Sequence, residues 1–193
     1  LMKQDENLKI AVFDAGHSLE QRHCPIDGEK VKSCISCKTC AIMNGFGGAG
    51  AFSDGKYNIT NDFGGTLYEY IGRQKALELM KYVDTINMSH GGEGTKMYST
   101  AGTDLKKVCL QNKLKLLDAS VRHLGTDVNY VVLKNLYDEM KDHMDFFFDT
   151  PVEKIQVKED GYTVSAKDAE YACRKCIVSV GRSGSKWMEN VCE

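Results

Sequence analysis

The chain has 193 residues, of which 42% are hydrophobic and 27% charged, and its formal net charge is −2. These proportions are typical of a globular protein, and they argue against nucleic-acid binding because Lys and Arg are spread along the chain without a basic tail. No apolar run approaches the roughly 20 residues that cross a bilayer, and no export signal precedes the first strand. The sequence therefore predicts a cytoplasmic protein with no membrane contact.

The first predicted element is the apolar stretch "LKIAVFDAG", residues 8–16, which is typical of a buried parallel strand. Residues 17–43 show no clear period. The loop "NGFGGAGAFSDGKYNIT", residues 44–60, is too rich in glycine for a helix or a central strand. Together, residues 23–60 form a loop rich in cysteine and glycine.

A helical insertion is predicted over residues 64–112. Apolar residues recur there at helical spacing and indicate two helices broken near Gly72. A loop follows, and Thr103 and Asp104 are helix-starting residues that predict a third helix.

Residues 114–150 are predicted to form a strand, a helix and a second strand. The stretch "KLKLLDASVRH" alternates, Thr126 is a candidate N-cap for the helix, and "FFFDT" indicates the second strand. This order is that of the unit that builds a parallel sheet.

The last third alternates with period two and predicts an antiparallel β-meander over residues 152–174. Its turns are expected at Asp160-Gly161 and near Lys167-Asp168. The stretch "CIVSVG" then indicates a buried strand, which a turn connects to a final helix. The predicted fold class is α/β.

Three stretches are candidates for contact with a nucleotide or cofactor. Asp14 ends the first strand, where an acidic residue either binds ribose hydroxyls or caps a turn. The glycines after Asn44 expose bare backbone that suits a flat or phosphorylated ligand, and Phe46, Phe52 and Tyr57 argue against a flexible linker. Gly181 opens a strand-turn-helix junction, which is either a cofactor contact or a tight structural turn.

The cysteines suggest a second kind of site. Cys34, Cys37 and Cys40 have the spacing C-x2-C-x2-C, and Cys24 precedes them by ten residues. Four thiolates could hold zinc or an iron–sulfur cluster, or the residues could be free or redox-active thiols. The pair Cys173 and Cys176 is expected to be buried and inert, because strand residues three apart face opposite sides of a sheet.

The "VFDAG" strand end, the "GFGGAGAFSDGKYN" loop, the "RHLGTD" stretch and the "IVSVGRSGSKWM" junction together resemble one family. This is the uncharacterised FAD-dependent, or NAD(FAD)-utilising, dehydrogenases of the glutathione-reductase-like superfamily with two dinucleotide-binding domains. The resemblance implies a partial Rossmann-like FAD/NAD(P)-binding domain in a flavin-dependent oxidoreductase that acts on a small-molecule redox substrate. The FAD-contacting residues that it implies are Asp14, Gly47, Gly48, Ala49, Gly50, Ser53, Asp54, Lys56, Gly181, Arg182 and Ser183.

The chain departs from that family in two respects, of which the second is that the returning segment that closes over the flavin is expected to lie beyond Glu193. No G-x-G-x-x-G turn precedes the strand that begins at Leu8, where the family carries the turn that holds the FAD pyrophosphate at a helix N-terminus. We therefore expect residues 1–193 to be one partial FAD-binding domain from the interior of a longer protein. We also expect it to bind FAD weakly or not at all and to be inactive alone. The alternative function is a cysteine-rich zinc or iron–sulfur binding module.

Overall fold

The structure is a computed structural model that describes residues 4–192. It divides into two compact units. The first unit comprises Leu1–Ala51 and Tyr137–Glu193, and the second comprises Phe52–Leu136.

The regular elements are short. The strands are β1 (Ala11–Phe13), β2 (Lys56–Ile59), β3 (Met97–Ser99), β4 (Ser120–His123), β5 (Asp145–Phe147), β6 (Val152–Lys158), β7 (Gly161–Ala166) and β8 (Ala169–Cys173). The α-helices are α1 (Leu67–Ile71), α2 (Arg73–Asn87), α3 (Leu105–Gln111), α4 (Thr126–Met140) and α5 (Ser185–Cys192). Single turns of 3-10 helix lie at Leu19–Gln21, Gly48–Phe52 and Arg182–Gly184.

A parallel pair of strands organises the first unit. β1 pairs with β5 in parallel, with Val12 opposite Phe146, so the predicted parallel character of the first strand is confirmed. The Phe13 and Phe147 rings stack with centroids 4.8 Å apart, and Tyr171 of β8 meets Phe13 edge-on at 4.8 Å. These contacts attach the meander to the strand pair, because stacked and edge-to-face aromatic pairs stabilise the fold beyond the area that they bury.

The predicted meander is confirmed. β6, β7 and β8 pair antiparallel in chain order. The first turn is Glu159-Asp160, one residue earlier than predicted, because Gly161 already pairs with Lys158. Lys167 and Asp168 adopt positive φ values of 47° and 61°, which is the backbone of a type I′ hairpin turn. Val164 and Ala166 are buried on β7.

The second unit combines a three-stranded antiparallel sheet with helices. Its strand order is β2-β4-β3. The predicted break between two helices is confirmed, since α1 ends before Gly72 and α2 begins after it, with Gly72 at a φ of 83°. Such a φ is easily reached only by a residue without a Cβ.

The predicted parallel unit over residues 114–150 is wrong in its pairing. The order β4, α4, β5 is present, but β4 lies antiparallel between β2 and β3, whereas β5 pairs with β1. A strand–helix–strand order alone does not specify sheet partners, and here both edges of β4 are taken by β2 and β3.

The predicted buried strand over residues 176–181 is also wrong. The described chain forms no strand there, and Ile177 is 79% exposed. An apolar run becomes a buried strand only where another strand pairs with it, and the described residues supply none at this position.

No helix within residues 4–192 is both long and apolar enough to span a membrane. The observed class is mixed α/β with mainly antiparallel sheets.

Candidate functional site

The carboxyl end of β1 continues the strand pairing by one residue and then turns. The Asp14 backbone N–H donates to Phe147 O at 3.0 Å, and Thr150 N–H donates to Asp14 O at 2.9 Å. The Asp14 side chain accepts a hydrogen bond from Gly16 N–H at 2.7 Å. The turn-capping role of Asp14 is therefore present in the structure. Its carboxylate has further lone pairs with which it could accept ribose hydroxyls.

Two glycines let the turn after β1 lie directly on the glycine loop. A Cβ on Gly16 would lie 2.6 Å from the Asn44 carbonyl carbon, and a Cβ on Gly45 would collide with His17 O. Phe46 N–H donates to His17 O at 3.1 Å. The two backbones touch, and no side chain fits between them.

The buried Arg22 fixes the start of the loop. Its side chain donates from Nε to Ala41 O at 2.8 Å, from Nη2 to Ile42 O at 2.8 Å and from Nη1 to Phe46 O at 2.6 Å. Burial lowers the pKa of Arg22, while the negative charge of Asp14 raises it. Arg22 thus positions the loop because its guanidinium donates hydrogen bonds to several backbone carbonyls at once. Sequence reasoning missed it, because a single Arg in a stretch without periodicity carries no signal.

An aromatic cluster anchors the same loop. The Phe46 ring lies 5.1 Å from Tyr137, 6.1 Å from Phe146 and 6.5 Å from Phe148, each in an edge-on arrangement. The prediction that the loop is not a flexible linker is confirmed at Phe46. Its edge-on aromatic contacts stabilise one position of the ring, in addition to the free energy gained from buried area.

The glycines after Phe46 leave exposed backbone. Gly47 and Gly48 have positive φ values of 79° and 55°. A Cβ added at Gly48 or Gly50 would meet no described atom within 4 Å. Crowding within the described chain therefore does not explain why positions 48 and 50 are glycine. The open space beside them suits the close approach of a flat ligand.

The junction after the meander reaches this loop. Gly181 has a φ of 63° and precedes the 3-10 turn Arg182–Gly184, which leads into α5. The Ser183 hydroxyl donates to the Asn44 side-chain oxygen at 2.6 Å. Three of the stretches singled out in the sequence, at Asp14, at the glycine loop and at Gly181, are thus brought together in the first unit.

The remaining candidate residues belong to the second unit. The Ser53 hydroxyl accepts a hydrogen bond from Gly55 N–H at 3.2 Å, and Asp54 pairs with Lys56 at 2.6 Å on the surface. The hydrogen bond from Lys56 lowers the pKa of Asp54. These residues shape the turn that enters β2, and their predicted contact with FAD stays a prediction.

The "RHLGTD" stretch has a structural role in the second unit. Arg122 forms a bidentate ion pair with Asp84, at 3.0 and 2.8 Å, and donates to Thr95 O at 2.6 Å. Both side chains are largely buried. The hydrogen bonds that Arg122 donates to Asp84 raise the pKa of Arg122. A fully bonded buried pair of this kind holds α2 against the sheet.

The cysteine quartet is not assembled. Cys24, Cys34 and Cys37 are exposed and Cys40 is half-buried. Across residues 4–192, no three His, Cys, Asp or Glu side chains are grouped closely enough to hold a metal ion. The donor set needed for tetrahedral zinc or a cluster is therefore not gathered in this geometry.

The pair Cys173 and Cys176 differs from the expectation of buried thiols on opposite faces. Both are half-buried. β8 ends at Cys173, and burial together with the neighbouring Cys173 thiol raises the pKa of Cys176. The expectation was wrong because the alternation of a strand stops where the strand stops.

The second unit also carries an open groove of about 640 Å³. Asn61 forms part of its wall and donates from Nδ2 to Arg73 O at 2.9 Å. Among the described residues, the buried Asn61 Oδ1 has no hydrogen-bond partner.

Comparisons of the chain with protein-family models, with curated proteins and with solved structures found no match.

Proposed function

We propose that the first unit contributes the FAD-contacting loop of a flavin-dependent oxidoreductase, within a Rossmann-like domain. The observation that carries the proposal is the convergence of Asp14, the glycine loop and Ser183. They come from three distant parts of the sequence and are joined through Gly16, Gly45 and Asn44.

The residues fit such a cofactor in chemistry and in shape. Asp14 would accept hydrogen bonds from ribose hydroxyls, as acidic residues at strand ends do in dinucleotide-binding folds. The backbone of Gly47, Gly48 and Gly50 would lie against the pyrophosphate and the flat ring system, because a residue without a Cβ lets a ligand approach closely. Gly181–Ser183 would lie against the same ligand, because Ser183 is hydrogen-bonded to Asn44 at the start of the loop.

The flavin, when bound, supplies the hydride and electron chemistry. This chain's own residues bind and orient. Arg22 keeps the loop in one conformation through its three carbonyl contacts, and Phe46 anchors the loop in the aromatic cluster. Such preorganisation lowers the entropy lost on binding.

A two-dimensional ¹H–¹⁵N NMR titration of the full chain with FAD tests the proposal, and it detects weak as well as tight binding. We expect the amide signals that shift to belong to Asp14–Gly16, Asn44–Gly50 and Gly181–Ser183. Shifts confined to the groove around Asn61, or to other residues outside these three stretches, would contradict the proposal. Riboflavin and ADP titrated separately distinguish the ring-facing from the pyrophosphate-facing residues.

A further inference from the structure

The open groove of about 640 Å³ in the second unit lies at one end of the β2-β4-β3 sheet. Its wall comprises residues 59–62 at and after the end of β2, 99–101 at the end of β3 and 118–120 at the start of β4. Residues of α2 between Arg73 and Lys81 complete the wall. The volume lies within the range of about 300–1,000 Å³ that is typical of small-molecule sites.

A buried amide in this wall lacks one hydrogen bond. Asn61 is only 8% exposed, and its Nδ2 donates to Arg73 O at 2.9 Å. Because a carbonyl oxygen only accepts, the NH2 of the amide must face Arg73, and Oδ1 is left to accept. Within residues 4–192 no donor reaches Oδ1. Buried acceptors are almost always satisfied, so Oδ1 requires a donor that the described chain does not supply.

The neighbouring buried hydroxyl is fully occupied. Thr60 is 5% exposed, and its Oγ1 donates to Asp118 O at 2.7 Å. The same oxygen accepts from Asp62 N–H at 3.1 Å. The contrast with Thr60 identifies Asn61 Oδ1 as the atom of the wall that a bound molecule would satisfy.

Positive and negative charges nearly balance around the groove. Two of its carboxylates are already paired, Asp62 with Arg73 and Asp118 with a lysine, each at 3.0 Å. The remaining charged side chains of the wall, one of each sign, are Glu78 and Lys81. No strong net field therefore selects an anion or a cation.

The burial of Oδ1 also favours an uncharged donor. Any group that bonds to this buried atom loses its own water. An ammonium group would lose far more hydration energy than a hydroxyl group. The donor that fits Asn61 is therefore a neutral O–H.

The uncharged side chains of the wall suit a ligand with several hydroxyls. Four hydroxyl side chains belong to the wall, namely Thr60, Ser99, Thr100 and Ser120. The amide of Gln74 lies there as well, and hydroxyls and amides both donate and accept, as the groups of a polyol do. Ile59 and Leu77 supply apolar surface for the C–H groups of a sugar ring.

We propose that this groove binds a small neutral saccharide, one hydroxyl of which donates to Asn61 Oδ1. The inference does not depend on the proposed FAD function, which concerns the first unit.

A two-dimensional ¹H–¹⁵N NMR titration of the full chain with glucose, ribose and maltose tests the proposal. We expect at least one of them to shift, saturably, the amide signals of residues 60–62, 99–101 and 118–120. The ¹³Cγ signal of Asn61 should move with them, because it reports on a hydrogen bond accepted by Oδ1. Spermidine and citrate at the same concentration should leave these signals in place, since the groove selects neither charge.

Asn61→Leu removes Oδ1 and should weaken binding of the active saccharide at least about tenfold. Asn112→Leu is the matched control. The Nδ2 of Asn112 also donates to a backbone carbonyl, Val108 O at 2.9 Å, but Asn112 is exposed and lies outside the groove. Its substitution should leave the affinity unchanged.

A second pair of variants blocks the groove without touching Asn61. Gln74→Trp adds bulk to the wall from an exposed position on α2, whereas Lys75→Trp adds it one residue later, outside the groove. We expect Gln74→Trp to weaken binding and Lys75→Trp to bind as wild type does. This pair keeps the test decisive if Asn61→Leu does not fold.

Three results would overturn the proposal. The first is that none of the three saccharides shifts the groove signals saturably. The second is that spermidine or citrate shifts them as strongly as a saccharide does. The third is that wild type binds no more tightly than Asn61→Leu or Gln74→Trp, which would mean that water, and not a sugar hydroxyl, satisfies Oδ1.

Discussion

The Ser183 hydroxyl donates a 2.6 Å hydrogen bond to the side-chain oxygen of Asn44, 139 positions earlier in the chain. This bond connects the junction after the meander to the first residue of the glycine loop. Ser183 is exposed and Asn44 half-buried, so water competes for both groups and the bond contributes only modestly to stability.

A double-mutant cycle measures that contribution. We expect Asn44→Ala and Ser183→Ala to show a coupling free energy of about 0.5–1.5 kcal/mol in urea unfolding. The fluorescence of Trp187, the single tryptophan, reports on the first unit. The matched control is Ser185→Ala, which should show no coupling to Asn44→Ala. Equal coupling at both serines would mean that Ser183 does not bond to Asn44.

Arg22→Lys should destabilise the first unit strongly. Lysine keeps the charge but lacks the planar fork that reaches three carbonyls at once, so buried carbonyls lose their donors. We expect a loss of about 3 kcal/mol in the free energy of unfolding. Arg73→Lys is the matched control, since the ion pair of Arg73 with Asp62 is exposed and should change stability by less than about 1 kcal/mol. Similar losses in the two variants, measured by thermal unfolding, would contradict the role of Arg22.

Gly16→Ala and Gly50→Ala should have opposite effects on stability. A Cβ on Gly16 would collide with the backbone of Asn44 and Gly45, whereas a Cβ on Gly50 would enter open space. We expect Gly16→Ala to cost about 1–3 kcal/mol, as overpacking does. We expect Gly50→Ala to be neutral or slightly stabilising, because alanine loses less backbone entropy than glycine on folding. Calorimetric unfolding compares them, and a Gly16→Ala variant as stable as wild type would refute the backbone contact.

The Asp27 carboxylate should titrate below its ordinary range. It accepts hydrogen bonds from the backbone N–H groups of Glu29, Lys30 and Val31 at 2.8–2.9 Å. These bonds, that from Val31 above all, lower the pKa of Asp27.

The pH dependence of stability follows from the lowered pKa of Asp27. The stabilising contribution is fully present above the unfolded pKa of about 3.9 and is lost as the pH falls through the lower folded pKa. Carbonyl ¹³C NMR of Asp27 follows the titration, and the Glu29–Val31 amides should lose protection over the same pH range. In Asp27→Asn the amides should not respond to acid. A midpoint at or above 3.9 would show that this loop is not formed in solution.

Local features of the fold were predictable from the sequence. The meander was predicted because alternation and the Asp160-Gly161 turn are signals within a few residues of one another. The break at Gly72 followed from the backbone freedom of one residue. The partners of β4 and β5 were not predictable in this way, because sheet pairing depends on residues far away in the chain.

The residues of the candidate site could be named from the sequence, whereas their arrangement could not. Asp14 and the glycines stood out by residue type and spacing. The contact of Gly16 with Asn44 and the role of Arg22 depend on tertiary packing and carry no local signal. The end of β8 at Cys173 could not be located to a single residue from alternation alone, so the half-buried environment of Cys176 was not predicted.

The affinity for FAD of two variants of the full chain tests the central claim most directly. Gly50→Leu places a side chain in the open space beside the glycine loop, and Ala172→Leu adds the same bulk at an exposed position on β8. If the glycine loop binds FAD, flavin-fluorescence titration should show Gly50→Leu weakened at least about tenfold, equivalent to 1.4 kcal/mol, with Ala172→Leu equal to wild type. Measurable but equal affinities in all three proteins would contradict the claim that this loop contacts the cofactor.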